Sequence, residues 1–162
     1  MPPMRSSNSI RAARGDDFEA VATLLEKLGR AKVTPETRDH CQALFRQQIV
    51  DPNAHHMVAV NADGEVVAFC SLVFRPRLNH VREEAWIPDL IVREASRREG
   101  IGRALLGEAE ERAAARGCAI MTLESSYERT EAHQLYRRFG MRDGGRYFIK
   151  QVEPARGRAR GS

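Results

Sequence analysis

No run in this sequence approaches the roughly 18 consecutive apolar residues that a membrane-spanning helix needs, so no membrane partner is expected. The opening residues Met1-Pro2-Pro3-Met4-Arg5-Ser6-Ser7-Asn8-Ser9 lack the apolar segment of a secretory signal, and a cytoplasmic protein is the natural reading. Cysteine is scarce. Cys41, Cys70 and Cys118 are odd in number, widely spaced, and set within or beside segments that read as helix or strand. Buried free thiols are expected rather than a disulfide framework. A basic stripe is also missing: Arg156, Arg158 and Arg160 in the terminal tail supply three of the four net positive charges, which argues against a nucleic-acid partner. His55, His56 and His80 have no ligand spacing to a carboxylate or cysteine pair, so no structural metal is expected. There is no internal repeat.

What is present suits a soluble globular chain, with 162 residues, 42% apolar and 30% charged. That length allows one domain with a genuine core and is short for two. The reading is a flexible start over 1–9, one domain over 10–153, and a disordered basic tail over 154–162.

Ile10 to Ala13 reads as a first strand. Asp16 or Asp17 then caps a helix to about Leu28, with Phe18, Val21, Leu24, Leu25 and Leu28 on one buried face. A second helix starts at Thr34-Pro35 and ends at Asp51-Pro52-Asn53. The period then changes to two. His56 to Val60, the turn Asn61-Ala62-Asp63-Gly64, and Glu65 to Phe74 predict a hairpin. Further strands are expected over Glu84–Val92, Ala119–Glu124 and Tyr147–Val152, and helices over Gly100–Arg116 and Glu131–Phe139.

The informative run is Leu90 to Leu106. An apolar strand enters a basic turn punctuated by Gly100 and Gly102, and the turn opens directly into a helix. The first turn of a helix carries unpaired N–H groups and partial positive charge, which suits a diphosphate. Arg97, Arg98 and Arg103 add full charges. A dinucleotide fingerprint is disfavoured because Arg103-Ala104-Leu105 follows Gly102 where a third glycine would be needed. The Walker pattern fails for want of a Lys-Ser or Lys-Thr pair.

Arg97-x-x-Gly100-x-Gly102 resembles the acetyl-CoA pyrophosphate loop of the GCN5-related N-acetyltransferases. Its surroundings are similar too: Asp89-Leu90-Ile91-Val92 resembles the end of that family's fourth strand, and Ala132 to Met141 resembles its "A…FYxxxGF" helix and turn. The resemblance implies an α/β fold with a central mixed, mostly antiparallel twisted sheet of six to seven strands, about four helices, and a splay between the fourth and fifth strands. It implies an acyltransferase with acetyl-CoA as donor, held by Leu90, Ile91, Val92, Arg97, Arg98, Glu99, Gly100, Ile101, Gly102, Arg103, Ala104 and Ser126. Pro88 fits the bulge of that fourth strand, since proline cannot donate to a ladder. An N–H freed near Leu90 or Ile91 then stands ready for the thioester oxygen.

The resemblance also assigns roles. Tyr136 matches the family tyrosine that protonates the departing thiolate. The usual base is a glutamate where this chain has Trp86; Asp89 is favoured instead, because Ala85-Trp86-Ile87-Pro88-Asp89-Leu90 resembles strands of aminoglycoside 3-N-acetyltransferases where an aspartate faces the amine, and Glu84 either serves through a water chain or is a solvated strand-edge charge. Trp86 either walls the acceptor pocket or belongs to the core. His133 is a base only in second place to capping or packing. Arg75, Arg77 and Arg82 either face an anionic acceptor or are solvated. Ser125 and Glu124 follow the fifth strand, where the family presents polar groups. The layout is closest to the aminoalkylphosphonate N-acetyltransferases, which implies a small primary amine as acceptor. An aminoglycoside or a protein amine comes next, and a non-catalytic acyl-CoA-binding module stands as a different class. The resemblance also raises a homodimer, which nothing in the sequence decides.

Overall fold

A computed structural model of the chain describes residues 7–155. Most of the expected flexible start and the basic tail from residue 156 onward lie outside them. Strand β1 (Ser9–Ala12) leads through a single 3-10 turn to α1 (Phe18–Lys27) and then α2 (Arg38–Ile49). Five strands follow, β2 (Met57–Val60), β3 (Val66–Cys70), β4 (Val73–Arg77), β5 (Arg82–Ile87) and β6 (Leu90–Val92). The chain then forms α3 (Ile101–Arg116), β7 (Ile120–Leu123) and α4 (Thr130–Arg138). The mixed α/β class and the four helices are as expected. The strands divide into two sheets, one ordered β1-β2-β3-β6 and the other β4-β5-β7.

The division corrects two strand boundaries. Glu65 to Phe74 is not one strand but β3 and β4, broken at Ser71-Leu72, and Glu84 to Val92 is β5 and β6, broken at Pro88-Asp89. The breaks face each other. Ser71 N–H donates to Asp89 O at 2.9 Å, and Asp89 N–H is received by the Ser71 hydroxyl at 2.9 Å rather than by a strand carbonyl. A serine side chain thus closes the ladder where Pro88 offers no N–H, and both chains turn from one sheet into the other there.

Alternation along the strands sorts the core. Met57, Cys70, Leu90 and Val92 pack with Ile101, Leu105, Leu106 and Ala109 of α3. Val58, Phe69 and Ile91, one residue out of phase, pack with Phe18, Val21 and Leu24 of α1 and Phe45 of α2. The first sheet is therefore covered on both faces, and its strands read as apolar runs for that reason. The three cysteines are unpaired, with Cys70 buried and the other two half-buried. Burial pushes the Cys70 thiol up to about 12, which makes it inert. No helix among the described residues is long and apolar enough to cross a membrane.

Three local expectations also change. Asp17 does not cap α1 but sits buried before it, accepting Arg14 N–H at 2.7 Å and a two-pronged bond from Arg11 at 2.7 and 2.9 Å. α2 begins at Arg38, because the Thr37 hydroxyl accepts the Thr34 N–H at 2.9 Å and holds residues 34–37 as a turn. Tyr147–Val152 forms no strand: Tyr147, Phe148, Ile149 and Val152 are all exposed, and no strand pairs them. Strand propensity expresses itself only against a partner.

Candidate acyl-transfer site

The site begins where two strands part. β5 and β7 run parallel from Glu84↔Ile120 to Ile87↔Leu123, and there the pairing ends. Beyond Pro88 the chain continues as β6, which pairs with β3. The expected splay between the fourth and fifth strands of the resemblance is this gap between β6 and β7. Its polarity follows from the ladder. Ser71 N–H bonds Asp89 O and Arg93 N–H bonds Val67 O, so the intervening Leu90 and Val92 turn their own N–H and C=O groups away from β3, into the gap. The Arg97 guanidinium uses one of these, donating to Val92 O at 3.3 Å.

At one end of the gap lies a groove of about 880 Å³. Its floor is Leu90, Ile91 and Val92, one wall is the turn from Arg97 to Arg103, and the other is the start of α4. The turn is shaped for main-chain display. Arg98 and Gly100 both have positive φ, 66° and 80°, and Gly100 immediately precedes α3, where only glycine sits without strain. The N–H groups of Ile101, Gly102 and Arg103 have no preceding turn to bond and face the groove end. Gly102 lines the groove and also lies against α4. A Cβ there would lie 2.9 Å from Leu135 Cδ2, so its bare face admits α4.

Among the residues assigned to the cofactor, Glu99 and Ala104 do not line this groove, and Ser126 lines the cavity at the other end. Asn8 donates to the Glu99 carboxylate at 3.3 Å. Ser96, buried beneath the turn, lines the groove and was not legible as a site residue.

At the other end lies a smaller cavity of about 180 Å³, between Pro88, the residues after β7 and the loop after α1. Leu90, Arg129 and Tyr136 line both spaces and mark their junction. Tyr136 reaches it from α4. Burial raises its phenol above the ordinary value, Cys70 adds to this and Arg129 opposes it, so the hydroxyl keeps its proton at neutral pH.

Both carboxylates read from the sequence are already engaged. Asp89 receives Arg30 Nε at 2.7 Å, and the same guanidinium donates to Pro88 O at 2.9 Å. Glu84 is buried and lines neither space. It accepts from Arg75 at 3.1 and 3.2 Å, from Arg77 at 2.9 Å, and from the Thr122 hydroxyl. Burial alone would push the Glu84 carboxyl up, but these donors outweigh it and hold it below the usual carboxylate range. Arg75 and Arg77 thus answer Glu84, and Arg75 also lies 4.3 Å from the Trp86 ring centroid. Trp86 is half-buried beneath that guanidinium and does not line the cavity.

Two arginines that sequence reasoning did not single out, Arg30 and Arg129, stand at this cavity. Both line the acceptor-end cavity, and Arg129 also donates to Leu28 O at 3.0 Å, tying the start of α4 to the end of α1. No spacing signals them, since Arg30 meets its partner across 59 residues. His133 Nε2 lies 3.1 Å from the Ser125 hydroxyl, and Ser125 lines the cavity.

Comparison with known proteins follows the same lines. The aminoalkylphosphonate N-acetyltransferase of Salmonella typhimurium is 31% identical over 144 residues, covering 88% of this chain and 90% of that protein. An aminoglycoside N(6')-acetyltransferase of Stenotrophomonas maltophilia is 28% identical, covering 93% and 97%. A Bacillus halodurans structure described as a transcriptional regulator superposes with a TM-score of 0.82 at 25% identity, covering 90% of this chain and 99% of that one. Glucosamine-6-phosphate N-acetyltransferase of Arabidopsis thaliana shares the fold, with a TM-score of 0.76 at 18% identity over 91% and 100% of the two chains. The model of the acetyltransferase (GNAT) family matches residues 19–141, from α1 through the turn after α4, and the chain therefore belongs to that family and is an acyltransferase.

Proposed function

We propose that the protein moves an acetyl group from acetyl-CoA directly to the primary amine of a small molecule. The observation that carries this is the junction: a groove with a diphosphate-suited turn meets a small polar cavity at Leu90 and Tyr136. The chain's own geometry fits the donor. Gly100 in the left-handed region and the open N–H groups at the start of α3 would hold the pyrophosphate, with Arg97, Arg98 and Arg103 beside it. The outward edge of Leu90 and Val92 would pair with the pantetheine amides, as a strand would.

Leu90 N–H, directed into the gap, would stabilise the oxyanion as the amine adds to the thioester carbonyl. Tyr136, held protonated, would give its proton to the leaving thiolate. Asp89 lines neither space but holds Arg30, which lines the cavity, and it is the group we assign to draw in the ammonium, which would displace Arg30.

Two features support a small acceptor. The cavity is below the range of a pocket for a drug-sized ligand, which disfavours an aminoglycoside. Arg30 and Arg129 in its lining suit an acceptor that carries an anion as well as an amine, in keeping with the substrate named for the Salmonella relative. The test is release of free thiol from acetyl-CoA with a panel of amines that includes aminoalkylphosphonates, simple alkylamines and aminoglycosides. Tyr136→Phe should lower kcat about 100-fold while affinity for coenzyme A changes less than about threefold. Silence with every amine would overturn the reading, and full turnover by the phenylalanine variant would remove Tyr136 from it.

A further inference from the structure

Transfer to an alkylamine requires that a proton leave the ammonium first, because an amine of pKa about 10 is almost wholly charged at neutral pH. The two carboxylates that the sequence offers for this are committed: Asp89 to Arg30, and Glu84 to Arg75, Arg77 and Thr122. At the acceptor end the Glu124 carboxylate lines the cavity, and one further pair has both a surface in the cavity and a group that can take a proton. Ser125 lines the cavity one residue beyond Glu124, and its hydroxyl lies 3.1 Å from His133 Nε2. His133 does not line the cavity and stands half-buried behind the serine, on the helix turn before Tyr136.

We propose that Ser125 and His133 form the route by which the acceptor's proton leaves, with Ser125 in contact with the substrate and His133 acting through it. The inference rests on the acetyl-transfer reading above. As the ammonium gives a proton to Ser125 Oγ, the Ser125 hydroxyl proton passes to His133 Nε2, leaving a neutral amine and an imidazolium. The amine lone pair then forms the C–N bond and the C–S bond breaks. The nitrogen's second proton replaces the one that Tyr136 gives to the thiolate. The imidazolium, half-exposed, returns its proton to solvent, so one proton is released per turnover. Histidine is the side chain suited to this exchange near neutrality.

The test compares two acceptors of one skeleton, an alkylamine that is charged at pH 7 and its fluorinated analogue that is already neutral. Ser125→Ala and His133→Ala should each lower kcat/KM about 100-fold with the charged amine and less than about fivefold with the neutral one. Added imidazole should restore part of the loss in His133→Ala. Calorimetric binding of coenzyme A to each variant reports that the donor site is intact, and His133→Gln serves as a second variant that keeps a hydrogen bond to Ser125. Equal losses with the two amines, or no loss with either, would overturn the relay. If the wild-type protein acetylates neither amine, the failure belongs to the acetyl-transfer reading instead.

Discussion

Replacing Glu84 by glutamine separates a structural carboxylate from a catalytic one. The side chain is only 4% exposed and accepts four hydrogen bonds, three of them from guanidinium groups. Hydrogen bonds to a charged group contribute about 1.5 to 3 kcal/mol each when well buried. Arg75 and Arg77 are 34% and 40% exposed, so solvent screens their share, and the loss on removing the charge is about 2 kcal/mol in all. For a chain of this size that lowers Tm by roughly 4 to 8 °C. The pH dependence has a definite sign. The folded carboxyl binds its proton less readily than the unfolded one, so its stabilisation is complete above about pH 4.3 and disappears as pH falls through the folded value. Thermal unfolding by circular dichroism from pH 7 to 3 should therefore show wild type and Glu84→Gln converging on the acid side. At pH 7 and 25 °C the variant should keep kcat within about threefold. Parallel unfolding curves at all pH values, or a collapse of kcat at unchanged Tm, would refute this account of Glu84.

Three other substitutions probe the frame. Gly100→Ala places a side chain at a φ of 80° and should cost about 1 kcal/mol in thermal unfolding, with weaker coenzyme A binding by calorimetry. Gly102→Ala sets a methyl group 2.9 Å from Leu135 Cδ2, a flexible tip on the helix that carries Tyr136. It should lower kcat in steady-state measurements, and an unchanged kcat would show that Leu135 yields without moving Tyr136. His56 is buried beside Phe69, and neither ring nitrogen has a hydrogen-bond partner among the described residues. Burial holds its pKa below the ordinary value, His55 reinforces this, and Asp51 and Asp89 oppose it. Its neutral form is thus the folded one, and stability should decline as pH falls below about 6.5. His56→Phe should flatten that decline in unfolding curves between pH 7 and 5, each tenfold of proton affinity counting for about 1.4 kcal/mol.

The linear sequence determined what depends on neighbours in the chain. Alternation marked strands, spacing at three and four gave α1, and the strand-turn-helix around Gly100 was legible, because a turn of that kind is built from consecutive residues. The helix that carries Tyr136 was legible for the same reason. Tertiary structure decided everything that depends on which distant groups meet. The sheet divides at Ser71 and Asp89 because a serine hydroxyl replaces a strand carbonyl across 18 residues. The two candidate bases are occupied by Arg30, Arg75 and Arg77. Tyr147–Val152 has the composition of a strand but no partner to pair with. Gly102 also meets Leu135 of α4. A charged side chain takes its role from the opposite charge that reaches it, and that partner is fixed only when the chain has folded.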